Sequence, residues 1–168
     1  MDVKVRRAVL EDTESIALVQ VESWRKTYAG ILPQGYLESL NFEKQAMMWR
    51  QLFRAGSNFA FVAEDPWGIF GFVSGGAIRE PIEGYDAELY AIYLMPARQR
   101  HGVGQELALT LRDTLLMESF SSMVVWVLEQ NLPGVSFYRK IGGLPIARRT
   151  IDIDGTVLPE LAFGWPVL

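Results

Sequence analysis

The sequence predicts a mixed α/β fold, with about seven strands and about four helices in one domain over residues 1–168. Two apolar strand patterns, at 89–94 and 123–128, flank a helical pattern, and this order implies a right-handed parallel crossover. Asp154-Gly155 separates two further strand-like runs and is a strong hairpin signal. No stretch has the composition of a linker, so we expect a single domain.

The first third of the chain predicts one strand and two helices. Residues 3–9 alternate apolar and charged side chains, which is typical of a half-buried strand. Acidic residues at 11–14 favour the first turn of a helix whose apolar positions continue to Tyr28. A Gly-Ile-Leu-Pro segment at 30–33 interrupts this pattern, and a second helix is predicted over about 34–54.

The middle of the chain predicts an antiparallel pair followed by the crossover. Apolar runs at 59–63 and 69–78 predict strands joined by an Asp-Pro-Trp-Gly turn. Residues 89–94 are apolar on both alternating faces, as expected of a central strand covered on both sides. A helix over about 102–120 carries a regular apolar stripe, and the fully apolar run 123–128 predicts the next strand.

The last part of the chain predicts a short helix and a hairpin. Residues 132–141 form a helical pattern that ends at two glycines, which commonly terminate helices. Strand-like runs at 145–153 and 157–165 follow.

Composition excludes several functional classes. The net charge of −4 indicates no general surface for nucleic acid or an anionic membrane, so we expect neither partner. The absence of cysteine and the presence of one histidine exclude thiol nucleophiles, thiolate metal sites and His-rich sites, so we expect no metal. We find neither the apolar core of a signal peptide nor a run of ~18 apolar residues, so we expect a cytoplasmic protein.

A glycine-containing turn between the strand at 89–94 and the next helix predicts an anion site. The first amides of a helix lack internal partners and lie at the positive end of its dipole. Gly102 and Gly104 have no Cβ and would let a ligand approach the backbone, while Arg98, Arg100 and His101 add positive charge. The alternative is a tight turn with solvated cations. A dinucleotide fingerprint would need a third glycine, and a P-loop would need Gly-Lys-Ser/Thr; neither is present.

Two segments together resemble the GCN5-related N-acetyltransferase (GNAT) superfamily. Residues 99–104, Gln-Arg-His-Gly-Val-Gly, match its Q/R-x-x-G-x-G/A loop. Residues 131–138, from Asn131 to Tyr138, match its N-x-x-A/G-x-x-F-Y segment. The order of elements fits over nearly all 168 residues, and the resemblance implies a splayed mixed sheet whose two central parallel strands part.

The resemblance implies acetyl-CoA as co-substrate, bound where those strands part. The loop would bind the pyrophosphate, the strand backbone the pantetheine arm, and the Asn131 amide the far arm. Asparagine is also a favoured helix N-cap, so both roles of Asn131 stay open. The expected cofactor-binding residues are Ile92, Tyr93, Leu94, Gln99, Arg100, His101, Gly102, Val103, Gly104, Gln105, Asn131 and Tyr138.

The resemblance also makes Tyr138 the expected catalytic acid. Direct acetyl transfer to an amine expels a CoA thiolate, and a phenol with a pKa of about 10 can donate a proton to that sulfur. The alternative is an aromatic side chain packed beside Phe137.

Glu88 resembles the strand glutamate that many members of the family use as a base, often through water. Period-two counting places it on one face of its strand with Tyr90, Ile92 and Leu94. The alternatives are an exposed carboxylate at the strand end, or one that attracts a cationic substrate.

The acceptor is expected to contact Trp24, Tyr28 and Glu88, because acceptor choice in this family lies in the first two helices and the turn between them. We expect a primary amine on a small molecule, such as a polyamine, or on a peptide. The sequence favours Trp24 and Tyr28 as core residues of an amphipathic helix over a role in acceptor binding. A non-catalytic acyl-CoA-binding module is the alternative function. The resemblance also allows a homodimer through the final strands.

The sequence departs from the family at two places. Members that acetylate ribosomal-protein N-termini carry a glutamate where this chain has Trp126, and the nearest carboxylate is displaced to Glu129. Gly143 stands where the family usually has an aromatic residue, and we expect looser local packing there.

Overall fold

Seven strands and five α-helices lie within residues 2–168, whereas the sequence predicts seven strands and about four helices. The computed structural model describes residues 2–168. The strands are β1 (Lys4–Arg7), β2 (Phe59–Asp65), β3 (Gly68–Ala77), β4 (Ala87–Leu94), β5 (Met123–Leu128), β6 (Leu144–Ile153) and β7 (Thr156–Trp165). The helices are α1 (Thr13–Thr27), α2 (Gln34–Ser39), α3 (Phe42–Ala55), α4 (Val103–Met117) and α5 (Leu132–Lys140), with short 3-10 turns at Leu10–Asp12 and Pro96–Arg98.

All seven strands belong to one mixed sheet in the order β1-β2-β3-β4-β5-β7-β6. The β4–β5 pair is parallel and the other neighbouring pairs are antiparallel, which confirms the predicted crossover and hairpin. The β4–β5 pairing consists of Ala87 opposite Met123 and Glu88 opposite Val124. Beyond Glu88 the two strands part, and we call the gap between them the β4–β5 opening.

Hydrogen bonds to Asp86 hold β4 and β5 together just before they part. Its Oδ1 accepts from the Ser122 hydroxyl at 2.8 Å and the Ser122 amide at 3.0 Å, and its Oδ2 accepts from the Ser121 amide at 3.0 Å. Burial alone would raise the pKa of Asp86, but these hydrogen bonds lower it below its usual value. The ionised carboxylate therefore fixes the closed end of the β4–β5 opening.

Helices cover both faces of the sheet. On one face, α4 buries Leu107, Leu111 and Leu115 completely against the central strands, and α5 packs beside it. On the other face, α1 and α3 pack against β2, β3 and β4, around Ile16 and Trp49. Fully burying one leucine or isoleucine side chain stabilises the fold by about 1.5–3 kcal/mol, so these two layers fix the strands on either side of the opening.

A β-bulge in β4 changes which side chains share a face. Ser74 pairs with Ala91 and Gly75 with Leu89, so Tyr90 has no cross-strand partner. Leu89, Ile92 and Leu94 pack on the α4 side, whereas Ala91 packs on the α1 side. Glu88 therefore does not share a face with Ile92 and Leu94, and this prediction was wrong because period-two counting fails across a bulge.

The helix predicted over 34–54 is two helices. Leu40 has extended backbone angles (φ −57°, ψ 122°) and ends α2. Asn41 then caps α3, because its Oδ1 accepts a hydrogen bond from the Lys44 amide at 3.0 Å.

Candidate active site

The turn between β4 and α4 presents a row of backbone amides that the fold leaves unused. Gly102 is the N-cap of α4 with φ +82°, and Arg100 also adopts a left-handed conformation, with φ +67°. The Glu106 amide makes the first bond of the helix, to Gly102 O at 3.1 Å. Among residues 2–168, the amides of 100–105 donate to no acceptor. This cluster of donors at a helix N-terminus is suited to bind a phosphate.

The two glycines of this turn have different roles. A Cβ on Gly102 would meet nothing within 4 Å, so Gly102 is required for its positive φ and leaves space above the amides. A Cβ on Gly104 would lie 3.3 Å from the Phe137 ring and 3.4 Å from Leu94 Cδ1. Gly104 therefore allows α4 to pack against α5 and β4, and the approach of a ligand to its backbone stays a prediction.

Of the three basic residues predicted to lie at the turn, Arg98 pairs with another residue, whereas Arg100 and His101 are exposed at the turn. Arg98 Nη2 lies 2.7 Å from Asp65 Oδ2, whose carboxylate is 2% exposed. The Arg98 guanidinium also lies 5.5 Å from the Trp67 ring centroid. Arg98 is therefore committed to the β2–β3 turn. Arg100 and His101 are exposed beside the free amides, as is Gln105, whereas Val103 is buried.

The end of β4 lies between the amide turn and the opening. One edge of this strand end pairs with β3 through Ile92, Tyr93 and Leu94, and all three residues are half-buried. The Leu94 carbonyl accepts hydrogen bonds from the Gln99 side chain at 3.1 Å and from the Ser23 hydroxyl at 3.4 Å. Gln99 thus ties the turn back to the strand, a contact that the sequence did not indicate.

Asn131 caps α5, one of the two roles that the sequence left open. Its Oδ1 accepts from the Gly134 amide at 3.2 Å, and the residue is 8% exposed. The side chain also lies close to the Tyr28 phenol, where it opposes part of the rise that burial causes in the pKa of Tyr28. A Cβ on Gly134 would lie 2.7 Å from Asn131 Nδ2, so this glycine makes room for the capping side chain.

Tyr138 lies on α5 and is 7% exposed. Its ring packs edge-on against the Phe137 ring, and the two ring centroids are 5.4 Å apart. Its hydroxyl makes no hydrogen bond with any residue from 2 to 168. Burial, and then the nearby Tyr28 phenol, raise the pKa of Tyr138 well above its usual value. The hydroxyl therefore stays protonated at neutral pH and remains available as a donor.

Trp24, Tyr28 and Tyr93 form one aromatic cluster, and the Tyr28 phenol lies near Tyr138. The Tyr28 and Tyr93 hydroxyls share a hydrogen bond of 2.9 Å, and Trp24 packs edge-on against Tyr28 at 4.9 Å. Burial raises the pKa of both Tyr28 and Tyr93. The Trp24 indole Nε1 is buried beside Tyr93 and completes no hydrogen bond among the described residues. Trp24 and Tyr28 therefore pack in the core, as the alternative role of these residues predicts.

Glu88 is buried at the closed end of the opening, with 2% of its surface exposed. It is not the exposed strand-end carboxylate that the sequence allowed. Its partner is Arg79, in the loop after β3, which donates to both carboxylate oxygens. No pattern in the sequence indicates this arginine, because the folding of the β3–β4 loop brings it to Glu88.

Comparison with known proteins assigns the family. The profile of the Acetyltransferase (GNAT) family matches residues 20–143. The uncharacterized N-acetyltransferase YuaI of Bacillus subtilis (strain 168) is 47% identical over 167 residues, which is 99% of this chain and 94% of that protein. The chain belongs to the GNAT acetyltransferase family. The resemblance noted in the sequence is therefore confirmed.

Two further GNAT relatives come from Thermoplasma acidophilum. Its spermidine N(1)-acetyltransferase is 30% identical over 144 residues, covering 84% of this chain and 88% of that protein. The crystal structure of PaiA N-acetyltransferase in complex with coenzyme A matches with a TM-score of 0.72 at 25% identity, over 96% of this chain and 98% of that chain. A ribosomal-protein-alanine N-acetyltransferase from Brucella melitensis shares the fold, with a TM-score of 0.75 at 18% identity and coverage of 98% and 99%.

Two other features bear on partners and metals. Within residues 2–168, no helix is long and apolar enough to cross a membrane. In the same part of the chain, no three acidic or histidine side chains are grouped to hold a metal ion.

Proposed function

We propose that this GNAT protein transfers the acetyl group of acetyl-CoA directly to a primary amine on a small molecule or a peptide. One observation carries the proposal. A row of unused amides lies at the turn that follows β4, and the protonated Tyr138 hydroxyl on α5 makes no hydrogen bond within residues 2–168. In a CoA-dependent acyl transfer, phosphate binding holds the cofactor and proton donation helps the thiolate to leave.

The residues around the opening fit coenzyme A by their donor chemistry. The amides of 100–105, with Arg100 and His101 beside them, would bind the pyrophosphate. The backbone of Ile92, Tyr93 and Leu94 would pair with the pantetheine arm along the β5-facing edge, where β4 has lost its strand partner. Asn131 would bind the same arm from the far side while it caps α5. Acetyl-CoA would supply the acetyl group as an activated thioester.

Tyr138 and Glu88 would manage the two protons of the reaction. The Tyr138 hydroxyl would donate to the sulfur as negative charge develops there. Its raised pKa lowers the driving force for full transfer in the free enzyme, so the hydroxyl would act as the sulfur becomes charged and desolvated. Glu88 would take, directly or through water, the proton that the acceptor ammonium must lose before its free amine attacks the thioester carbonyl.

The acceptor would enter from the α1–α2 side, past Trp24 and Tyr28. The buried Trp24 Nε1 donor has no partner, and an unpaired buried donor costs about 1–3 kcal/mol, which a bound polar acceptor would offset. Aromatic rings near a carboxylate suit a cation. The relationship to a spermidine N(1)-acetyltransferase supports testing polyamines first.

A thiol-release assay tests the proposed function. Purified protein with acetyl-CoA and a panel of polyamines, amino acids, aminoglycosides and lysine peptides should release CoA with at least one amine. Mass spectrometry of that product should show an added acetyl group. Binding of CoA without turnover on any amine would instead favour the non-catalytic acyl-CoA-binding module.

Glu88→Gln should lower kcat by about 10²-fold or more, because a positioned base contributes about 10²–10⁴-fold. The shape of the pH–rate profile should change at its acidic side, since the variant has no carboxylate to receive the proton. Kinetics from acidic to alkaline pH measure both effects. An unchanged profile with wild-type kcat would remove Glu88 from the proton transfer.

Substitutions of Asn131 separate its two roles. Asn131→Ala should destabilise the protein by about 1 kcal/mol, because a lost N-cap costs about 0.5–2 kcal/mol. Asn131→Ser keeps a capping oxygen but removes the amide donor, so stability should be largely retained while the affinity for CoA falls. Thermal unfolding and calorimetric titration with CoA give the two readouts. Equal CoA affinity in the serine variant and the wild type would leave Asn131 with the capping role alone.

A further inference from the structure

The buried carboxylate of Glu88 occupies the last paired position before β4 and β5 part. Glu88 pairs with Val124, and the next residues of the two strands are no longer bonded to each other. The Glu88 side chain is 3% exposed. A buried carboxylate needs hydrogen bonds or a cation to remain charged, so the groups around it decide what it can do.

Arg79 donates every hydrogen bond that the Glu88 carboxylate accepts among the described residues. The Arg79 amide donates to Oε1 at 3.2 Å, Nε donates to Oε2 at 3.0 Å, and Nη2 donates to the same Oε2. A carboxylate offers about four lone-pair positions, two on each oxygen. Arg79 fills both positions on Oε2 and one on Oε1. One acceptor position on Oε1 is therefore left for a water molecule or an amine.

Tyr90 holds the Arg79 guanidinium in this orientation. The guanidinium carbon lies 4.5 Å from the Tyr90 ring centroid, in a cation–π contact. The Tyr90 hydroxyl donates to the Ala77 carbonyl at the end of β3, which fixes the ring. Tyr90 is the bulged residue of β4, and the bulge brings its ring to the side of the strand that Glu88 faces. The backbone irregularity and the ion pair therefore form one unit.

We propose that Arg79 is a positioning residue for acetyl transfer. Its amide and guanidinium orient the Glu88 carboxylate, and they turn the one remaining position on Oε1 toward the proton that the acceptor must lose. This inference rests on the proposed function, in which Glu88 receives that proton. The Arg79 side chain is 61% exposed, so it reaches Glu88 from the solvent side and contributes little to the core.

Arg79→Ala should lower kcat by about 10²-fold, the size of effect that misplacing a reacting group by about 1 Å can have. The KM for acetyl-CoA should stay unchanged, since the amide turn lies at the other end of the opening. Arg6→Ala is a matched control. Arg6 donates to the buried Asp12 and to Glu64 at the outer edge of the sheet. The Arg6→Ala variant therefore loses a comparable ion pair that lies away from the opening. Its kcat should equal that of the wild type.

Chemical rescue distinguishes positioning from a structural role. Millimolar methylguanidinium should restore part of the kcat of Arg79→Ala in a saturable way, because the lost group lay near solvent. It should restore nothing in Glu88→Gln/Arg79→Ala, and this double variant should be no slower than Glu88→Gln alone. If Arg79→Ala fails to fold, Arg79→Lys gives the same test, with a kcat between wild type and Glu88→Gln expected.

The outcomes separate this inference from the function on which it rests. An active wild type in which Arg79→Ala keeps full kcat, or loses kcat without rescue, overturns the role of Arg79 alone. Additive losses from the Arg79 and Glu88 substitutions overturn it as well. A wild type that acetylates no amine overturns the proposed function and the inference together.

Discussion

Tyr138→Phe should lower kcat by about 10²–10⁴-fold, the usual contribution of a positioned general acid, while the affinity for CoA stays close to that of the wild type. The substitution removes one oxygen that makes no hydrogen bond within residues 2–168, so it leaves no partner unsatisfied. The ring keeps its contact with Phe137. The thermal midpoint should therefore change little, and the loss should fall on turnover.

Steady-state kinetics measure the kcat of this variant, and titration with CoA measures its affinity. Tyr85→Phe is the control: Tyr85 packs beside Gly164 on β7, outside the opening, and loses an equivalent hydroxyl. Its kcat should match the wild type. Near-wild-type turnover in Tyr138→Phe would show that the sulfur leaves without this donor.

The expected pH dependence of kcat follows from the direction in which the pKa of Tyr138 is shifted. Burial raises its pKa above the ordinary 10.0, so the neutral phenol persists to higher pH than in a free tyrosine. No alkaline loss of kcat below pH 10 should be caused by Tyr138. A descending limb in that range that disappears in Tyr138→Phe would contradict the buried environment of the phenol.

Local patterns in the sequence were sufficient to predict the sheet and the amide turn. The apolar runs, the Asp154-Gly155 turn and the glycines at 102 and 142 each reflect a backbone preference that acts over a few residues. Each of these features is therefore present in the fold at the predicted place. The left-handed Gly102 and the N-cap of α4 follow from the same local logic.

Contacts between distant segments could not be predicted in this way. The bulge at Tyr90 depends on the packing of β3 against β4, and it reversed the predicted face of Glu88 relative to Ile92. Arg79 reaches Glu88 only because the β3–β4 loop folds back. Asp65 removes Arg98 from the anion site in the same manner, through a contact between residues that are far apart in sequence.

Both departures from the family pattern are explained by neighbours in space. A Cβ on Gly143 would lie 2.9 Å from Trp165 and 2.9 Å from the Tyr138 carbonyl, so the expectation of looser packing was wrong. Trp165 fills that volume and donates from Nε1 to the Ile141 carbonyl at 3.0 Å. The Arg149 guanidinium carbon lies 3.9 Å from the centroid of the Trp126 ring, so Trp126 makes a cation–π contact at this position.

Gly102→Val should abolish most of the affinity for CoA. At φ +82° a β-branched residue is a genuine outlier, and the left-handed conformation costs an L-residue about 1–2 kcal/mol. The turn would relax to a negative φ, and the amides of 100–105 would no longer point at one anion. Each 1.4 kcal/mol of lost binding is about tenfold in Kd, so we expect a rise of at least about tenfold.

Gly56→Val separates this effect from general destabilisation. Gly56 has φ +66° at the end of α3, and a Cβ there would also meet nothing within 4 Å, so the two substitutions impose the same kind of strain. A chain of this size loses about 2–4 °C of thermal midpoint per kcal/mol, and both variants should show a loss of that order. Only Gly102→Val should weaken CoA binding in calorimetric titration. Equal CoA affinity in the two variants would mean that the pyrophosphate is bound elsewhere, and the orientation of the thioester toward Tyr138 would then lose its physical basis.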